Sequence, residues 1–166
     1  MTLEWALSEL INNPSVLRRA QAELDAVVKP TRLADEATSR TFRTSPTCSS
    51  SGHARSPDLL AFRPERFLED GESAGLDVRG QHFHLLPFGS GRRICPGASL
   101  AMLVVHAALA AMVQCFEWEP VGGAPVDMEE GPGLTLPRKH PLVCTVKARF
   151  DPMPGLAGVD DHDAGK

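Results

Sequence analysis

The stretch from Phe88 to Gly97, Phe-Gly-Ser-Gly-Arg-Arg-Ile-Cys-Pro-Gly, combines residue types and a spacing that indicate a specific chemistry. Cys95 carries the reactive atom of this stretch, which is a thiol sulfur. Gly89 and Gly91 allow the backbone to turn tightly, or to pass close to a flat ligand where a Cβ would collide. The pattern therefore predicts a glycine-lined turn, here called the Cys loop, whose sulfur can bind a ligand.

The segment after the Cys loop must position it. The apolar run Ala98–Phe116 predicts a helix, with Pro96 at its first position. Cys95 would then lie at a helix N-terminus, where free N–H groups and the positive end of the dipole stabilise a thiolate. A thiolate in such a turn is a suitable axial ligand for a haem iron. The alternative is a buried structural cysteine, which the surrounding pattern disfavours.

Five positions of the Cys loop match the signature Phe-x-x-Gly-x-Arg-x-Cys-x-Gly, and on them the chain resembles the cytochrome P450 family. They are Phe88, Gly91, Arg93, Cys95 and Gly97. The resemblance implies that all five bind heme b, with Cys95 as the axial ligand of the iron. It also implies that Arg93 pairs with a haem propionate and that Phe88 packs on the macrocycle near the sulfur. Gly91 and Gly97 would provide the turn and a close approach of the helix.

Three further stretches resemble the plant flavone synthase II and flavanone 2-hydroxylase group. They are Gly80–Arg93, Val113–Trp118 and Met128–Thr135. The resemblance implies a monooxygenase of the EC 1.14 type in flavonoid biosynthesis, acting on a small hydrophobic plant metabolite, a flavanone. It also implies electrons from NADPH, delivered by NADPH-cytochrome P450 reductase. The full-length family acts on the cytosolic face of the endoplasmic reticulum membrane.

Composition excludes several other classes of protein. The chain has 166 residues, with 17 basic and 21 acidic side chains and a net charge of −4, so we expect no nucleic-acid partner. Its four cysteines form no Cys-x-x-Cys pair, which disfavours a zinc ribbon and a disulfide framework. His82 and His84 could mimic a metal site with Cys95, but the spacing fits no common zinc pattern.

Two helices are predicted before the Cys loop, over residues 2–12 and about 15–28, with Ser15 as the N-cap of the second. In the first, Glu4 and Ser8 are expected on the side opposite the apolar stripe. That stripe comprises Leu3, Ala6, Leu7, Leu10 and Ile11. The stripe of the second helix comprises Val16, Leu17, Ala20, Leu24, Val27 and Val28.

A small antiparallel sheet is predicted after the apolar helix. Phe116–Pro120 and Leu142–Ala148 alternate as strands do, and a turn at Gly122-Gly123 and a loop over 127–136 separate them. Glu129–Thr135 resembles the loop that enters the substrate pocket from the far end in cytochromes P450. An edge hairpin is the alternative, and the sequence leaves both open.

These elements predict a mainly α fold with a small antiparallel β part (α+β), an incomplete C-terminal piece of the P450 fold. One partial cytochrome P450 domain would span residues 1–166. Its parts are a helix pair (1–35), an irregular insert (36–57), the haem-binding Cys-loop region with the apolar helix and terminal β part (58–150) and a tail (151–166). Residues 38–56 and 151–166 are predicted to be disordered.

Residues 38–56 hold ten Ser or Thr and no acidic residue. A phosphorylatable basic linker is one interpretation. Our preferred hypothesis is translation out of frame, from a real lesion or a misbuilt gene model. The P450 group often has Asp-Leu-Pro-Asn-Leu-Pro-Tyr-Ile-Pro-Tyr-Leu-Gln here. A coding string for that peptide, read one base later, gives the sequence of residues 38–48. Sequencing the transcript across this stretch tests the hypothesis.

The resemblance also predicts that the family's Glu-x-x-Arg helix is missing from this chain. Pro-Glu-Arg-Phe at 64–67 resembles the motif whose Arg joins a Glu-x-x-Arg pair, yet no Glu in this chain has Arg three residues later. Arg66 would therefore turn to solvent, since an unpaired buried Arg is costly. The family's dioxygen-handling motif is not visible in this chain either. No membrane anchor is visible, so a cytosolic location is expected for this chain.

We therefore expect a truncated, catalytically incompetent chain. The alternatives are a non-catalytic remnant, which binds haem weakly or not at all, and a helical interaction module built around Ala98–Phe116. At about 20 residues that segment is near membrane-spanning length. A buried core helix is preferred, because the segment starts directly at the Cys loop.

Overall fold

The structure is a computed structural model that describes residues 2–28, 33–34, 62–67, 71, 74, 76, 78, 80–83, 85–133 and 137–149. The predictions for the insert, including the disorder of residues 38–56, lie outside these residues. The predicted disorder of residues 151–166 lies outside them as well.

Helix α1 spans Thr2–Asn12 and helix α2 spans Pro14–Val27, so both predicted helices are confirmed. Asn13 separates them: its side-chain Nδ2 donates to the carbonyl of Glu9 at 2.8 Å, and its own carbonyl accepts from Val16 N at 3.0 Å. The predicted cap at Ser15 is wrong. Pro14 occupies the first turn, where its missing N–H costs nothing, and Ser15 lies inside the helix.

Helix α3 spans Ala98–Cys115, and its N-cap is Gly97. The apolar run is therefore helical as predicted, but Pro96 lies in the turn before the helix rather than at its first position. The three helices pack around one apolar cluster. Its buried members are Ala6, Leu10, Leu17, Ala20, Leu24, Leu109, Ala110 and Val113.

Strand β1 (Phe116–Pro120) pairs with strand β2 (Cys144–Ala148) in an antiparallel two-stranded sheet, with Trp118 opposite Val146. The mainly α fold with a small antiparallel sheet is therefore confirmed for the described residues. Strand β2 starts two residues later than predicted. Gly122 and Gly123 turn the chain after β1 with φ values of +70° and +71°.

Arg149 joins α2, α3 and the sheet. Its backbone N–H donates to the carbonyl of Cys115 at 2.7 Å, directly after β2. Its guanidinium donates to the carbonyl of Gln114 at 3.0 Å and to Asp25 Oδ2 at 2.6 Å. Arg149 thus satisfies carbonyls at the C-terminal end of α3, where a cation also complements the helix dipole.

The two halves of α3 differ in burial. Leu109, Ala110 and Val113 are buried against α1 and α2, whereas Leu100 is 65% exposed and Val104 is 55% exposed. The prediction of a buried core helix therefore holds for the C-terminal half and is wrong for the N-terminal half. By length and hydropathy alone, α3 would also be able to cross a membrane.

Two predicted helix faces need correction. Ser8 is fully buried rather than solvent-facing, since its hydroxyl lies between the carbonyl of Glu4 and the guanidinium of Arg138. Val27, predicted in the apolar stripe of α2, is 51% exposed at the last turn of that helix. Periodicity places a residue on a face, but the neighbouring segments decide which faces are covered.

Candidate functional site

Backbone hydrogen bonds fix the chain where it enters the Cys loop. Leu85 is buried, and its N–H donates to the carbonyl of His82 at 2.9 Å. Gly89 N donates to the carbonyl of Leu86 at 3.1 Å, which closes the next turn. Residues 81–83 form no strand, and His84 lies outside the described residues.

Glycines set the course of the loop backbone. Gly89 has φ +75° and Gly91 has φ +61°, a region that L-residues with a side chain rarely occupy. Gly91–Arg93 forms a single 3-10 turn, closed by Ile94 N donating to the carbonyl of Gly91 at 3.2 Å. The two glycines therefore give the loop backbone a course that residues with a side chain would rarely follow.

A backbone hydrogen bond closes the loop on Cys95. Cys95 N donates to the carbonyl of Phe88 at 2.9 Å, so the first residues of the loop lie beside the sulfur-bearing residue. The carbonyl of Cys95 in turn accepts from Ala98 N at 3.3 Å, at the start of α3. The sulfur is thus held at the N-terminal end of α3, two residues before the N-cap Gly97.

Gly97 serves the site differently from Gly91. Its φ is −86°, which any residue can adopt, so the turn does not require glycine there. A Cβ added at Gly97 would lie 3.9 Å from Cys95 Sγ, and within 4 Å it would meet no other atom of the described part of the chain. The missing side chain therefore leaves space beside the sulfur.

The five predicted site residues lie in one short loop and differ in exposure. Cys95, Arg93, Gly91 and Gly97 are exposed, as is Arg92, while Phe88 is partly buried. Gly91 has open space around its Cα. The thiol and the guanidinium groups of Arg92 and Arg93 therefore all reach solvent on the described structure.

Sequence reasoning missed Gly80 as a supporting residue. Gly80 has φ +77°, and a Cβ there would lie 2.7 Å from the carbonyl oxygen of Gly89 and 3.1 Å from Ser90 Cα. The first distance is shorter than real Cβ contacts and the second is unusually tight, so the backbone at Gly80 packs directly on the Cys loop. The signal was present as a glycine in an otherwise polar segment, but nothing local indicates its contact.

Pro64–Phe67 forms a 3-10 helix. The carboxylate of Glu65 lies 3.6 Å from Arg19 Nη1 on α2, and both side chains are about half exposed. The side chain of Arg66 lies outside the described residues, so the prediction that it turns to solvent stays a prediction.

The other two described thiols differ from Cys95 in their surroundings. Burial raises the pKa of the Cys115 thiol, an effect that the nearby Arg149 charge partly opposes. Burial also raises the pKa of the Cys144 thiol. Cys95 is exposed, so among the described thiols it is the one a ligand can reach most directly.

The donor set around Cys95 fits a haem on its sulfur-binding side. A soft sulfur ligand reaches solvent beside the space left by Gly97, and two neighbouring guanidiniums can pair with carboxylates. Phe88 supplies an apolar surface next to the sulfur-bearing residue. The described loop therefore offers one face of a site for a flat, carboxylate-bearing iron ligand.

Comparison with known proteins identifies this loop with a family. The family model described as cytochrome P450 matches residues 57–145, which include the Cys loop, α3 and the start of β2. The matched region is more than half of the chain. The predicted family is thereby confirmed.

Curated relatives are plant proteins of the same family. Cytochrome P450 93A3 of Glycine max is 43% identical, over 93% of this chain and 38% of that protein. 3,9-Dihydroxypterocarpan 6A-monooxygenase of Glycine max is 42% identical, over 94% of this chain and 39% of that protein. 2-Hydroxyisoflavanone synthase of Glycyrrhiza uralensis is 43% identical, over 92% of this chain and 39% of that protein. The chain spans about two fifths of the length of these relatives.

The alignment with cytochrome P450 93A3 extends over 196 positions, whereas this chain has 166 residues. At least 30 positions of the relative therefore have no counterpart in this chain. Since an aligned region begins and ends on paired residues, this shortfall is internal.

Proposed function

We propose, because the chain belongs to the cytochrome P450 family, that Cys95 is the thiolate ligand of a heme b iron in a monooxygenase. The observation that carries the proposal is the exposed Cys95 thiol, held at the N-terminal end of α3 by a loop with the family's residues. A bound haem with a thiolate ligand supplies the chemistry of dioxygen cleavage and substrate oxidation.

Each remaining loop residue has a role in this proposal. Arg93 pairs with a propionate through its planar fork, which suits carboxylates. Phe88 covers the ring beside the sulfur and limits access of water to it. Gly91 turns the backbone, and Gly97 leaves room beside Cys95 Sγ for the ring to approach. Backbone N–H groups at the end of the loop can donate to the sulfur and tune its electron density.

The proposed substrate class is a small hydrophobic plant metabolite, and a flavanone is our first choice. Two similar proteins carry names that refer to an isoflavanone and to a pterocarpan, which are related ring systems. The proposed electron source is NADPH, through NADPH-cytochrome P450 reductase. The proposed location of the full-length protein is the cytosolic face of the endoplasmic reticulum membrane.

A carbon monoxide difference spectrum tests the ligand assignment. The 166-residue chain is expressed with a haem supply, purified, reduced and exposed to carbon monoxide. A Soret band at the thiolate-ligated position is expected to be lost in Cys95→Ser and kept in Cys144→Ser, which removes another described thiol. A band of unchanged size and position in Cys95→Ser would show that Cys95 is not the ligand.

A second candidate function is a non-catalytic remnant of the family. It is favoured by the exposure of Cys95 and Arg93 and by the internal shortfall of at least 30 positions. Since a haem at Cys95 would touch described residues on one face only, we expect substoichiometric uptake. A stoichiometric, thiolate-type band in the wild-type chain would refute this candidate, whereas no uptake at all would support it.

A further inference from the structure

A polar stripe on α1 docks the segment between the two strands. Glu4, Ser8 and Asn12 are spaced four residues apart and therefore lie on one face of the helix. Each of the three contacts the chain between Val126 and Leu142. This face of α1 was expected to meet solvent, and instead it holds a distant part of the chain.

Side chains of α1 hold the two ends of the segment by hydrogen bonds to its backbone. The Asn12 side chain donates from Nδ2 to the carbonyl of Val126 at 2.9 Å and accepts from Val126 N at 2.7 Å. It thus pairs with Val126 as a neighbouring strand would. At the other end, Leu142 N donates to Glu4 Oε1 at 3.2 Å. Between these ends, residues 127–133 and 137–140 lie side by side as the two arms of a hairpin.

Backbone pairing makes the hairpin narrow. Gly131 N donates to the carbonyl of Pro137 at 2.7 Å, and Lys139 N donates to the carbonyl of Glu129 at 2.9 Å. A Cβ at Gly131 would lie 3.1 Å from the carbonyl oxygen of Arg138, so the two arms are in close contact. Glu130 and Arg138 face each other in a single bridge.

Arg138 ties this hairpin to α1 from a side chain that is 3% exposed. Nη1 donates to Ser8 Oγ at 2.6 Å, Nε donates to the carbonyl of His140 at 3.2 Å, and Nη2 donates to the carbonyl of Asp127. The guanidinium also lies 5.2 Å from the centre of the Trp5 ring and 3.9 Å from Glu4 Oε1. One side chain therefore contacts both arms of the hairpin and α1.

We infer that Arg138 is a positioning residue that sets where the two hairpin arms, residues 127–133 and 137–140, stand relative to α1, and that it thereby affects substrate binding. The substrate part rests on the proposed function and on the resemblance of Glu129–Thr135 to a loop that enters the substrate pocket. The planar fork of Arg is needed, because Lys offers a single nitrogen and cannot reach Ser8, Asp127 and His140 together.

Hydrogen exchange with mass spectrometry tests this inference on the 166-residue chain without haem. The variants are Arg138→Lys and Ser8→Ala, and Lys139→Met is the matched control at an exposed neighbour paired with Glu129. In Arg138→Lys, the amides of Val126, Gly131 and Lys139 should exchange about tenfold faster, as expected for loss of one charge-assisted hydrogen bond. The amides of the buried half of α3 should keep their rates.

Ser8→Ala should accelerate exchange of the same amides. In the Arg138→Lys background it should add little further acceleration, because both changes break the same contact between Arg138 and Ser8. The control variant should leave the exchange rates of the Val126 and Gly131 amides unchanged. Equal acceleration over the whole chain in Arg138→Lys would show a general stability role and overturn the inference. Unchanged rates in the hairpin would overturn it as well.

The substrate part has its own readout in haem-loaded protein. Arg138→Lys should weaken the binding of a flavanone about tenfold, while the carbon monoxide spectrum of the Cys95 site stays the same. An unchanged flavanone affinity would overturn the link between Arg138 and the substrate. Failure of the wild type to take up haem would count against the proposed function, and the exchange data would still decide the positioning role.

Discussion

Cys95 differs from the other described thiols in being both exposed and placed at a helix N-terminal end. Cys115 and Cys144 have pKa values raised by burial, so a smaller share of each is thiolate near neutral pH. Among the described thiols, Cys95 is therefore the one best placed to react or to bind a metal.

Thiol alkylation should follow this difference. In the haem-free native chain, iodoacetamide should modify Cys95 well before Cys115 or Cys144, because exposure and thiolate fraction both control the rate. Peptide mapping by mass spectrometry at several reaction times gives the order. In strong denaturant the three rates should converge. Early modification of Cys115 in the native chain would contradict the described burial.

His106 on α3 is expected to make stability depend on pH. Its Nε2 is buried without a hydrogen-bond partner among the described residues, and burial lowers the pKa of the imidazole from 6.5. The unfolded chain therefore binds a proton at a higher pH than the folded chain, so stability should be lost as the pH falls through 6.5 toward the lowered value.

Urea unfolding of the parent and His106→Leu at a series of pH values measures this effect. The difference in stability between the two should change in favour of His106→Leu as the pH falls below 6.5. Glu9, whose pKa burial raises, contributes equally to both chains and cancels. A constant difference between parent and His106→Leu would refute the role of His106.

At the scale of elements, the Cys loop depends on its contact with a segment that precedes it. The backbone at Gly80 presses on Gly89 and Ser90, so the preceding segment and the loop support each other. The start of α3 provides the second support, through Ala98 N and the carbonyl of Cys95. The loop is thus held from both sides by backbone groups.

Gly80→Ala should disturb the loop far more than a matched glycine change elsewhere. A methyl at Gly80 meets the Gly89 carbonyl oxygen at 2.7 Å, whereas Gly122, with φ +70°, has nothing described within 4 Å. Gly80→Ala and the matched control Gly122→Ala both carry the cost of a positive φ, about 1–2 kcal/mol. Gly80→Ala should add about 1–3 kcal/mol from overpacking. Urea unfolding and the alkylation rate of Cys95 measure the two effects, and equal results for both variants would contradict the contact.

At the scale of the whole molecule, one apolar cluster among α1, α2 and α3 supports the described fold. The N-terminal half of α3 extends beyond this cluster, and Phe83 before the Cys loop is 79% exposed. The site therefore lies at the margin of the core rather than inside it. This placement accounts for the expected weak uptake of haem.

Two leucines of α3 should report this asymmetry. Leu109→Ala removes a fully buried side chain and should cost about 2–5 kcal/mol, while Leu100→Ala, at an exposed position of the same helix, should change stability by less than about 0.5 kcal/mol. Chemical denaturation of the three proteins gives both values. Similar losses for the two variants would mean that the N-terminal half of α3 is also packed.

The sequence by itself determined the family, the Cys loop and the bounds of most described elements, because these depend on local patterns. Glycine spacing around Cys95, the apolar period of α1 and α2 and the alternation in β1 all act within a few residues. The tertiary structure alone decided that Ser8 faces Arg138, which follows it by 130 residues, and that Gly80 presses on Gly89. It also decided how far α3 is covered. Contacts between distant segments decide which faces are buried, and no local period encodes them.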